Sequence, residues 1–494
     1  MVSSSTGSDM NDSVAYINSG LINAIASFSC SISESKGRIL RVTDYVEPGQ
    51  LLFQGPLLHK VAENPGNPVY DALTGLFHED STDSLDYSPM WYWCALNSLP
   101  FKISDFVEEI SEDQFKQLKM LYHSRGQSAS PTIRQVAEAI GRYLLQPLSE
   151  SDLIELDILT VIWTLNCFEH SDDPVTYASF FLPSFMSHSC KPTAMWTSIG
   201  DVFFIRAQER MRVGDELTVS YLSEEFALRP IDKRRSHLQS TKFFSCDCPR
   251  CTAAVDDSRG FKIPARLGLA NSCFLRYPEF SKCACGCESA VSLTASEFSD
   301  LISLEANLVN LVAVYDGGED EDLIPLKPDP RLIESDEDAL ALEELIDSIG
   351  PFHWASARGL MQLCEYYRSL AMFPRAIIFL KRRIETKRKY IRASSPETSS
   401  TLAWALEDLA DIILLHVSGS VVAGLSEEAR ERFCEQWKPR SKEDMEILSF
   451  SGALEAYTEC VEILNKVFGI LHEHTKSAQE KLDRLKSRLG HPIF

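Results

Sequence analysis

The sequence contains no run of 18 or more apolar residues, so it predicts no membrane-spanning helix. No lysine or arginine precedes Lys36, so we expect no secretory signal peptide, which needs a basic start. Positive charge is scarce overall, with 48 Lys and Arg against 71 Asp and Glu and a net charge of −23. This balance argues against a nucleic-acid-binding surface and is compatible with a basic protein partner.

Cysteine, in contrast, is plentiful, with 14 residues. Since the sequence predicts no secretion, we expect these thiols to be reduced rather than paired in disulfides. Their clustering then favours metal sites. We expect the protein to reside in the cytoplasm, the nucleus or both.

The length of 494 residues and the hydrophobic fraction of 44% are typical of a globular protein with about two to four domains. Composition and periodicity divide the chain into five regions. These are a polar N-terminal tail (1–30), a β-rich domain (31–245) with a helical insert at about 60–165, a cysteine-rich segment (246–292), an acidic linker (293–347) and a helical C-terminal domain (348–494).

The stretch from Leu182 to Cys251 has the densest pattern of motifs. Gly200-Asp201 is a turn signal between two β-rich runs, Thr193–Ser198 and Val202–Ala207, and predicts a hairpin. A further strand is predicted at Thr218–Leu222. Three thiols follow with C-x-C-x2-C spacing at the end of the stretch.

The order of these motifs resembles that of the SET-domain protein lysine methyltransferases, specifically the SMYD type. The matching segments are SHSCKPT at 187–193, GDELTVSY at 214–221, and the aromatic pair Phe243-Phe244 before the thiols. Upstream, KGRIL at 36–40 looks like the opening strand of the family. The family usually inserts a zinc-binding MYND finger between about 60 and 100, where this chain has only Cys94, so we expect the finger to be absent.

The resemblance implies an α+β fold. It would consist of a β-rich SET domain with a helical insert and a zinc-bound post-SET loop, followed by an all-α, tetratricopeptide-like C-terminal lobe. It also implies methyl transfer from S-adenosylmethionine to the side-chain amine of lysine in a protein substrate. Two rivals remain, a SET scaffold with weak or no catalysis and an interaction protein that acts through its helical lobe.

The resemblance further implies the roles of individual residues. Tyr221 would be the catalytic phenol, because a phenol oxygen can orient an amine without carrying a charge at neutral pH. The implied cofactor-binding residues are Lys36, Gly37, Arg38, Asn166, Ser187, His188, Tyr221 and Phe244. The chain departs from the family at Ser187 and Thr193, where Asn is usual, and at Lys242, where a second tyrosine is usual.

Two groups of cysteines are candidate metal ligands. Cys246, Cys248 and Cys251 offer three soft ligands, and zinc needs a fourth. By the resemblance, the fourth is Cys190. A second possible site comprises Cys273, Cys283, Cys285 and Cys287, in which the last three alternate along one face of an extended segment. A hairpin with small core cysteines is equally compatible with that second pattern.

The predicted partner is a protein substrate with a basic segment, and the oligomeric state is left open. Thirteen carboxylates lie between Asp316 and Asp347, where they would attract such a segment or form a solvated linker. Basic runs at 381–383 and 387–389 resemble a bipartite nuclear signal, with a solvated helix face as the alternative reading.

Overall fold

The computed structural model describes residues 7–23, 27–76, 85–123, 128–270, 272–287, 289–312, 333, 335–389, 395–418 and 449–490. Within them the fold is α+β, as predicted, and no helix is both long and apolar enough to cross a bilayer. The strands are β1 (Phe28–Ser33), β2 (Gly37–Val42), β3 (Leu51–Pro56), β4 (His59–Ala62), β5 (Cys167–Asp172), β6 (Val175–Ser179), β7 (Ser187–His188), β8 (Ala194–Ile199), β9 (Val202–Ala207), β10 (Thr218–Val219), β11 (Gly260–Lys262) and β12 (Phe274–Arg276).

The helices fall into two groups, one in each half of the chain. Those of the N-terminal half are α1 (Gly7–Asn23), α2 (Pro68–Thr74), α3 (Pro89–Leu96), α4 (Glu112–Lys119), α5 (Pro131–Ile140), α6 (Glu150–Asn166), α7 (Glu224–Ala227) and α8 (Ile231–Lys242). Those of the C-terminal lobe are α9 (Ala295–Val312), α10 (Asp336–Ile349), α11 (Trp354–Ser369), α12 (Phe373–Lys389), α13 (Ser400–Ser418), α14 (Phe450–Val467) and α15 (Glu473–Arg488).

Small sheets build the N-terminal half. Two are three-stranded and antiparallel, in the orders β3–β9–β8 and β4–β6–β5, and β1 pairs with β2. The predicted hairpin is confirmed as β8 and β9, which turn at Gly200 with φ +54°. Side chains of β9 alternate between buried and more exposed positions, as a strand over a core requires.

One short parallel pairing decides the position of the site. Strand β7 pairs with β10, so that Ser187 lies opposite Thr218 and His188 opposite Val219. The 187–193 and 214–221 motifs are thereby joined side by side. Strand β10 is shorter than predicted, because the hydroxyl of Ser220 bonds both the N–H and the carbonyl of Leu222 and turns the chain there. Tyr221 therefore lies just beyond the strand.

The predicted helical insert lies between β4 and β5. Helix α4 begins with a capping box formed by Ser111 and Gln114, and α6 begins with a similar one. Trp163 of α6 is buried and donates its indole N–H to the hydroxyl of Ser98 at 2.8 Å. The insert thus shares its core with the sheets.

The N-terminal 30 residues are not a polar tail where they are described. Helix α1 buries Ile17 and Leu21, which are 1% and 2% exposed, in the core of the N-terminal half. Asn18 also bonds both backbone groups of Cys30. The Ser-rich composition concealed one apolar helix face, and residues 1–6 and 24–26 lie outside the described residues.

The predicted acidic linker at 293–347 is also corrected. Its first part is helix α9, which packs against α10 and α11 and buries Leu308 and Val312. The helical lobe therefore begins near residue 295 rather than 348. Residues 313–332 and 334, with most of the acidic run, lie outside the described residues, and the tetratricopeptide-like character of the lobe stays a prediction.

Helix α7, which begins three residues after Tyr221, contacts the lobe. Glu225 pairs with Arg383 at 3.1 Å and with Lys387 at 3.3 Å, and both of these basic side chains are nearly buried. Glu224 accepts hydrogen bonds from the first turn of α13. The basic run on α12 is therefore occupied in part by this interface, so it is not simply a solvated face.

Candidate active site and metal centre

Tyr221 lies at the centre of the candidate active site. Its hydroxyl donates a hydrogen bond to the carbonyl of Met186 at 2.6 Å, and its backbone N–H donates to Nδ1 of His188 at 2.9 Å. Although 40% of the residue is exposed, the hydroxyl is enclosed, and this burial together with the charge of Glu216 raises the pKa of Tyr221. The phenol therefore stays neutral at physiological pH.

Three rings form an aromatic cluster at this point. The ring centre of His188 is 5.3 Å from that of Tyr221 and 5.9 Å from that of Phe244. Phe244 and Tyr221 are nearly perpendicular, with 6.4 Å between their centres. Perpendicular packing is a favoured arrangement of aromatic rings and supports the Tyr221–Phe244 pair, while His188 packs against both rings at tilted angles of 45° and 55°.

His188 connects this cluster to the cysteines. Its Nδ1 accepts a hydrogen bond from a backbone N–H, so a neutral ring carries its proton on Nε2. That Nε2 lies 3.2 Å from Sγ of Cys190. Burial lowers the pKa of His188 to about 4, which keeps the ring neutral, and the hydrogen bond from the N–H of Tyr221 fixes this tautomer.

The predicted first metal site is assembled in the structure. The sulfur atoms of Cys190, Cys246, Cys248 and Cys251 all lie within 4.8 Å of one another, and all four residues are buried. Cys190 is 4.0 Å from Cys246 and 3.5 Å from Cys251. Zinc–sulfur bonds of about 2.3 Å in a tetrahedron place the sulfurs about 3.8 Å apart. The four thiols therefore fit Zn²⁺.

Buried arginines beside the four thiols support the same conclusion. Arg234 has no exposed surface, forms no ion pair with a carboxylate in the described part of the chain, and donates to Sγ of Cys251 at 3.6 Å. Hydrogen bonds from neighbouring thiols, with the charge of Arg234, lower the pKa of Cys251 to about 7. Four thiolates around Zn²⁺ carry a net charge of −2, which a buried cation offsets. Arg250 adds a hydrogen bond to the carbonyl of Cys190 at 3.2 Å.

The residues expected to hold the cofactor's carboxylate behave differently from one another. Lys36 is paired with Glu216 at 2.9 Å, so its charge is already neutralised. Arg38 lies 4.9 Å from the ring centre of Phe185 and has no carboxylate partner among the described residues, and burial lowers its pKa. Gly37 has φ +75° with open space where a Cβ would be, so the backbone there is free for a ligand to approach. Arg38 is thus better placed than Lys36 to bind the carboxylate of a cofactor.

The remaining cofactor-binding candidates are Asn166 and Ser187. Asn166 ends α6, and its amide donates to the carbonyls of Tyr122 and Ile162 at 2.9 and 2.8 Å. Both of its N–H groups are used, which leaves its oxygen for other contacts. Ser187 in β7 is half-buried beside Thr218.

The structure shows which contacts are made by two of the three residues at which the chain departs from the family, Thr193 and Lys242. Thr193 donates to the carbonyl of Glu216 at 2.8 Å and accepts the N–H of Thr218 at 2.9 Å, so it still ties the two motifs together. Lys242 donates to the carbonyl of Thr164 at 3.3 Å, which connects the ends of α8 and α6. Its ammonium is therefore directed at a helix C-terminus.

Sequence reasoning missed a cavity of about 330 Å³ between β8, the segment around Tyr221 and the helical lobe. Its lining includes Trp196, Ser220, Leu222, Lys387 and Leu402. No local signal could reveal it, because its two walls, which end at Leu228 and begin again at Lys387, are far apart in sequence.

Comparison with known proteins agrees with this geometry. The SET domain family matches residues 37–222. SMYD2-B, an N-lysine methyltransferase from Xenopus laevis, is 30% identical over 134 residues, which are 26% of this chain and 29% of that protein. Residues 37–222 of this chain match the SET domain, and the relatives it resembles include N-lysine methyltransferases of the SMYD type. The human N-lysine methyltransferase SMYD2 is likewise 30% identical, over 113 residues that cover 22% of this chain and 25% of that protein.

The match to these curated relatives spans less than a third of their length. Among solved structures, the SET domain of LSMT bound to lysine and AdoHcy aligns over 89% of this chain and 98% of that one, with 10% identity and a TM-score of 0.27. A score that low supports no further inference. The expected absence of a MYND finger beside the SET domain stays a prediction.

Proposed function

We propose that this protein is an S-adenosylmethionine-dependent protein-lysine N-methyltransferase. The observation that carries the proposal is the β7–β10 pairing within the SET domain. It places Tyr221 in contact with His188 and within a ring cluster that includes Phe244.

The hydrogen bonds of Tyr221 suit the orientation of an amine. Because its O–H donates to the carbonyl of Met186, the lone pairs of its oxygen are free to accept an N–H from a substrate lysine. A lysine side chain has a usual pKa of about 10.4 and must release its proton to solvent before its nitrogen can attack. The hydrogen bond to Tyr221 then holds the lone pair of the lysine nitrogen in one direction, and such alignment is the main requirement of an in-line transfer.

S-adenosylmethionine, when bound, would supply a methyl group on a positively charged sulfur. Arg38 would pair with its carboxylate, and Gly37 would allow close backbone approach. His188, Ser187, Asn166 and Phe244 would surround the adenosyl group, with Phe244 stacked on the base. Lys36 would act indirectly, by holding Glu216 in place beside Tyr221.

Zinc at Cys190, Cys246, Cys248 and Cys251 would have a structural role. It would fix the post-SET loop against β7 and, through His188, against Tyr221. This arrangement has all four coordination positions filled by protein, as structural zinc sites do.

The substrate would be a protein with a basic segment that enters by the cavity between the SET domain and the lobe. The net charge of −23 favours such a partner, and the acidic run at 316–347 would attract it, although most of that run lies outside the described residues. Location in the cytoplasm or nucleus and the absence of a nucleic-acid partner remain predictions.

An inactive scaffold is the second candidate, favoured by Ser187, whose side chain reaches less far towards a cofactor than the asparagine that is usual in the family. A methyl-transfer assay with labelled S-adenosylmethionine over a panel of basic and acidic proteins separates the two. Labelling of a basic protein by wild type but not by Tyr221→Phe would support the enzyme. Cofactor binding that is undetectable by calorimetry, with no labelling of any protein, would support the scaffold.

A further inference from the structure

A second group of four cysteines lies outside the site already described. The sulfurs of Cys273, Cys283, Cys285 and Cys287 lie within 4.8 Å of one another. Cys273 is 3.6 Å from Cys285 and 3.8 Å from Cys287, close to the tetrahedral separation of about 3.8 Å expected around zinc. Cys283 and Cys285 are 3.0 Å apart, well beyond the length of a disulfide bond.

The backbone between the cysteines forms a tight turn around the sulfurs. Gly286 adopts φ +95°, a conformation that favours glycine, and the sulfurs of its neighbours Cys285 and Cys287 belong to the same cluster. The N–H of Cys285 donates to Sγ of Cys283 at 3.4 Å. An N–H directed at a sulfur stabilises the thiolate form, which is the form that binds a metal.

Apart from the cysteines, few buried side chains hold the segment 281–290 together. From 281 to 290, Cys283 is the only described residue that is buried, and the strands β11 and β12 have three residues each. The core-facing side chains of this hairpin, Phe261 and Leu275, are buried against the lobe, whereas the stretch 281–290 has almost no hydrophobic core of its own. Segments with too small a core commonly depend on a structural metal.

The segment nevertheless joins two parts of the protein. Phe274, the neighbour of Cys273, stacks on Phe352 at 4.5 Å between ring centres, just before α11 of the lobe. At the other strand of the hairpin, Arg259, which directly precedes β11, pairs with Glu305 of α9. The four cysteines are therefore placed to fix the hairpin that connects the post-SET loop with the lobe.

We propose that Cys273, Cys283, Cys285 and Cys287 bind a second zinc ion, which exchanges faster than the zinc at Cys190, Cys246, Cys248 and Cys251. Binding forms four Zn–S bonds and releases the four thiol protons to solvent. Faster exchange follows from exposure, because Cys285 and Cys287 are exposed whereas all four cysteines of the first site are buried. The second group also lacks a buried arginine like Arg234 among its described hydrogen-bond partners.

The test uses the full-length protein purified with zinc and without chelators. We expect elemental analysis to give two zinc ions per chain and a chromogenic chelator to remove them in a fast and a slow phase. Cys285→Ser/Cys287→Ser should retain one zinc and only the slow phase. Cys364→Ser, which alters a buried cysteine outside both groups, should retain both phases. One zinc per chain in wild type, or two in the double variant, would overturn the proposal.

A second measurement avoids variants altogether. Alkylation of the native protein, followed by mass spectrometry, should find Cys285 and Cys287 protected until the fast zinc is removed and labelled afterwards. Labelling at full rate before chelation, or a disulfide among the four cysteines, would refute the site. Equal release rates for the two ions would refute the difference in exchange. None of these readouts depends on methyl transfer.

Discussion

The imidazole of His188 accepts a hydrogen bond from the backbone N–H of Tyr221, with 2.9 Å between the two nitrogens. Its other nitrogen faces Sγ of Cys190 at 3.2 Å. A single buried ring therefore connects a candidate zinc ligand with the candidate catalytic residue. The geometry at Tyr221 should depend on the integrity of the metal centre.

Tyr221→Phe should leave cofactor binding nearly unchanged and reduce methyl transfer by about 10²-fold or more. The ring still fills its space, but the oxygen that orients the amine is lost. Calorimetry with S-adenosylmethionine and a transfer assay measure the two effects. Tyr45→Phe, which removes the hydroxyl of an exposed tyrosine, is the control. If the Tyr221 variant keeps full activity, Tyr221 is a packing residue.

His188→Ala should weaken cofactor binding and lower the melting temperature. The change leaves the N–H of Tyr221 without its partner, which costs about 1–3 kcal/mol. His59→Ala is a matched control, since His59 is also largely enclosed and packs on Trp163 away from the site. Equal loss of cofactor affinity in both variants would show a general loss of stability rather than a role for His188.

Ser187→Asn should tighten the binding of S-adenosylmethionine if the side chain of Ser187 is a shortened contact.

Arg234→Met should lower the affinity of the first site for zinc by about 10- to 100-fold, as loss of outer-shell partners usually does. Methionine fills similar space but leaves the charge of the thiolates unbalanced. Competition with a chelator measures the affinity, and Arg210→Met, at an exposed ion pair with Glu47, is the control. Unchanged zinc retention in the Arg234 variant would contradict the proposed charge balance.

The Glu305 carboxylate should make stability fall in acid. Burial alone would raise its pKa, but hydrogen bonds from His353 and Arg259 outweigh burial and lower the pKa to about 2. Because the unfolded value is higher, the contribution is fully present above about pH 4.5 and is lost as the pH falls towards 2. A shift of this size corresponds to about 3 kcal/mol.

Glu305→Gln provides the comparison for this prediction. The variant should melt at a lower temperature than wild type at pH 7, and the difference should narrow as the pH falls from 5 to 2. Thermal denaturation across this range measures the effect. A difference that does not change with pH would assign the loss to packing rather than to the ionised carboxylate.

Features that depend on short sequence motifs could be predicted from the sequence alone. Turn chemistry predicted the hairpin at Gly200, and the spacing of Cys246, Cys248 and Cys251 indicated a metal. These features depend on residues a few positions apart, where backbone preferences and hydrogen bonds act directly. The errors came at regions judged by average composition, as at the N-terminus, where polar residues concealed the buried face of α1.

Only the tertiary structure decided which distant segments meet. The pairing of β7 with β10, the contact of Arg234 with Cys251 and the ion pairs of Glu225 with α12 each join parts of the chain that no local pattern relates. Such contacts form because the favourable free energy of core packing offsets the entropic cost of closing long loops. The sequence by itself determined which chemical groups this protein has, whereas tertiary packing decided that Tyr221, His188 and Cys190 would share one site.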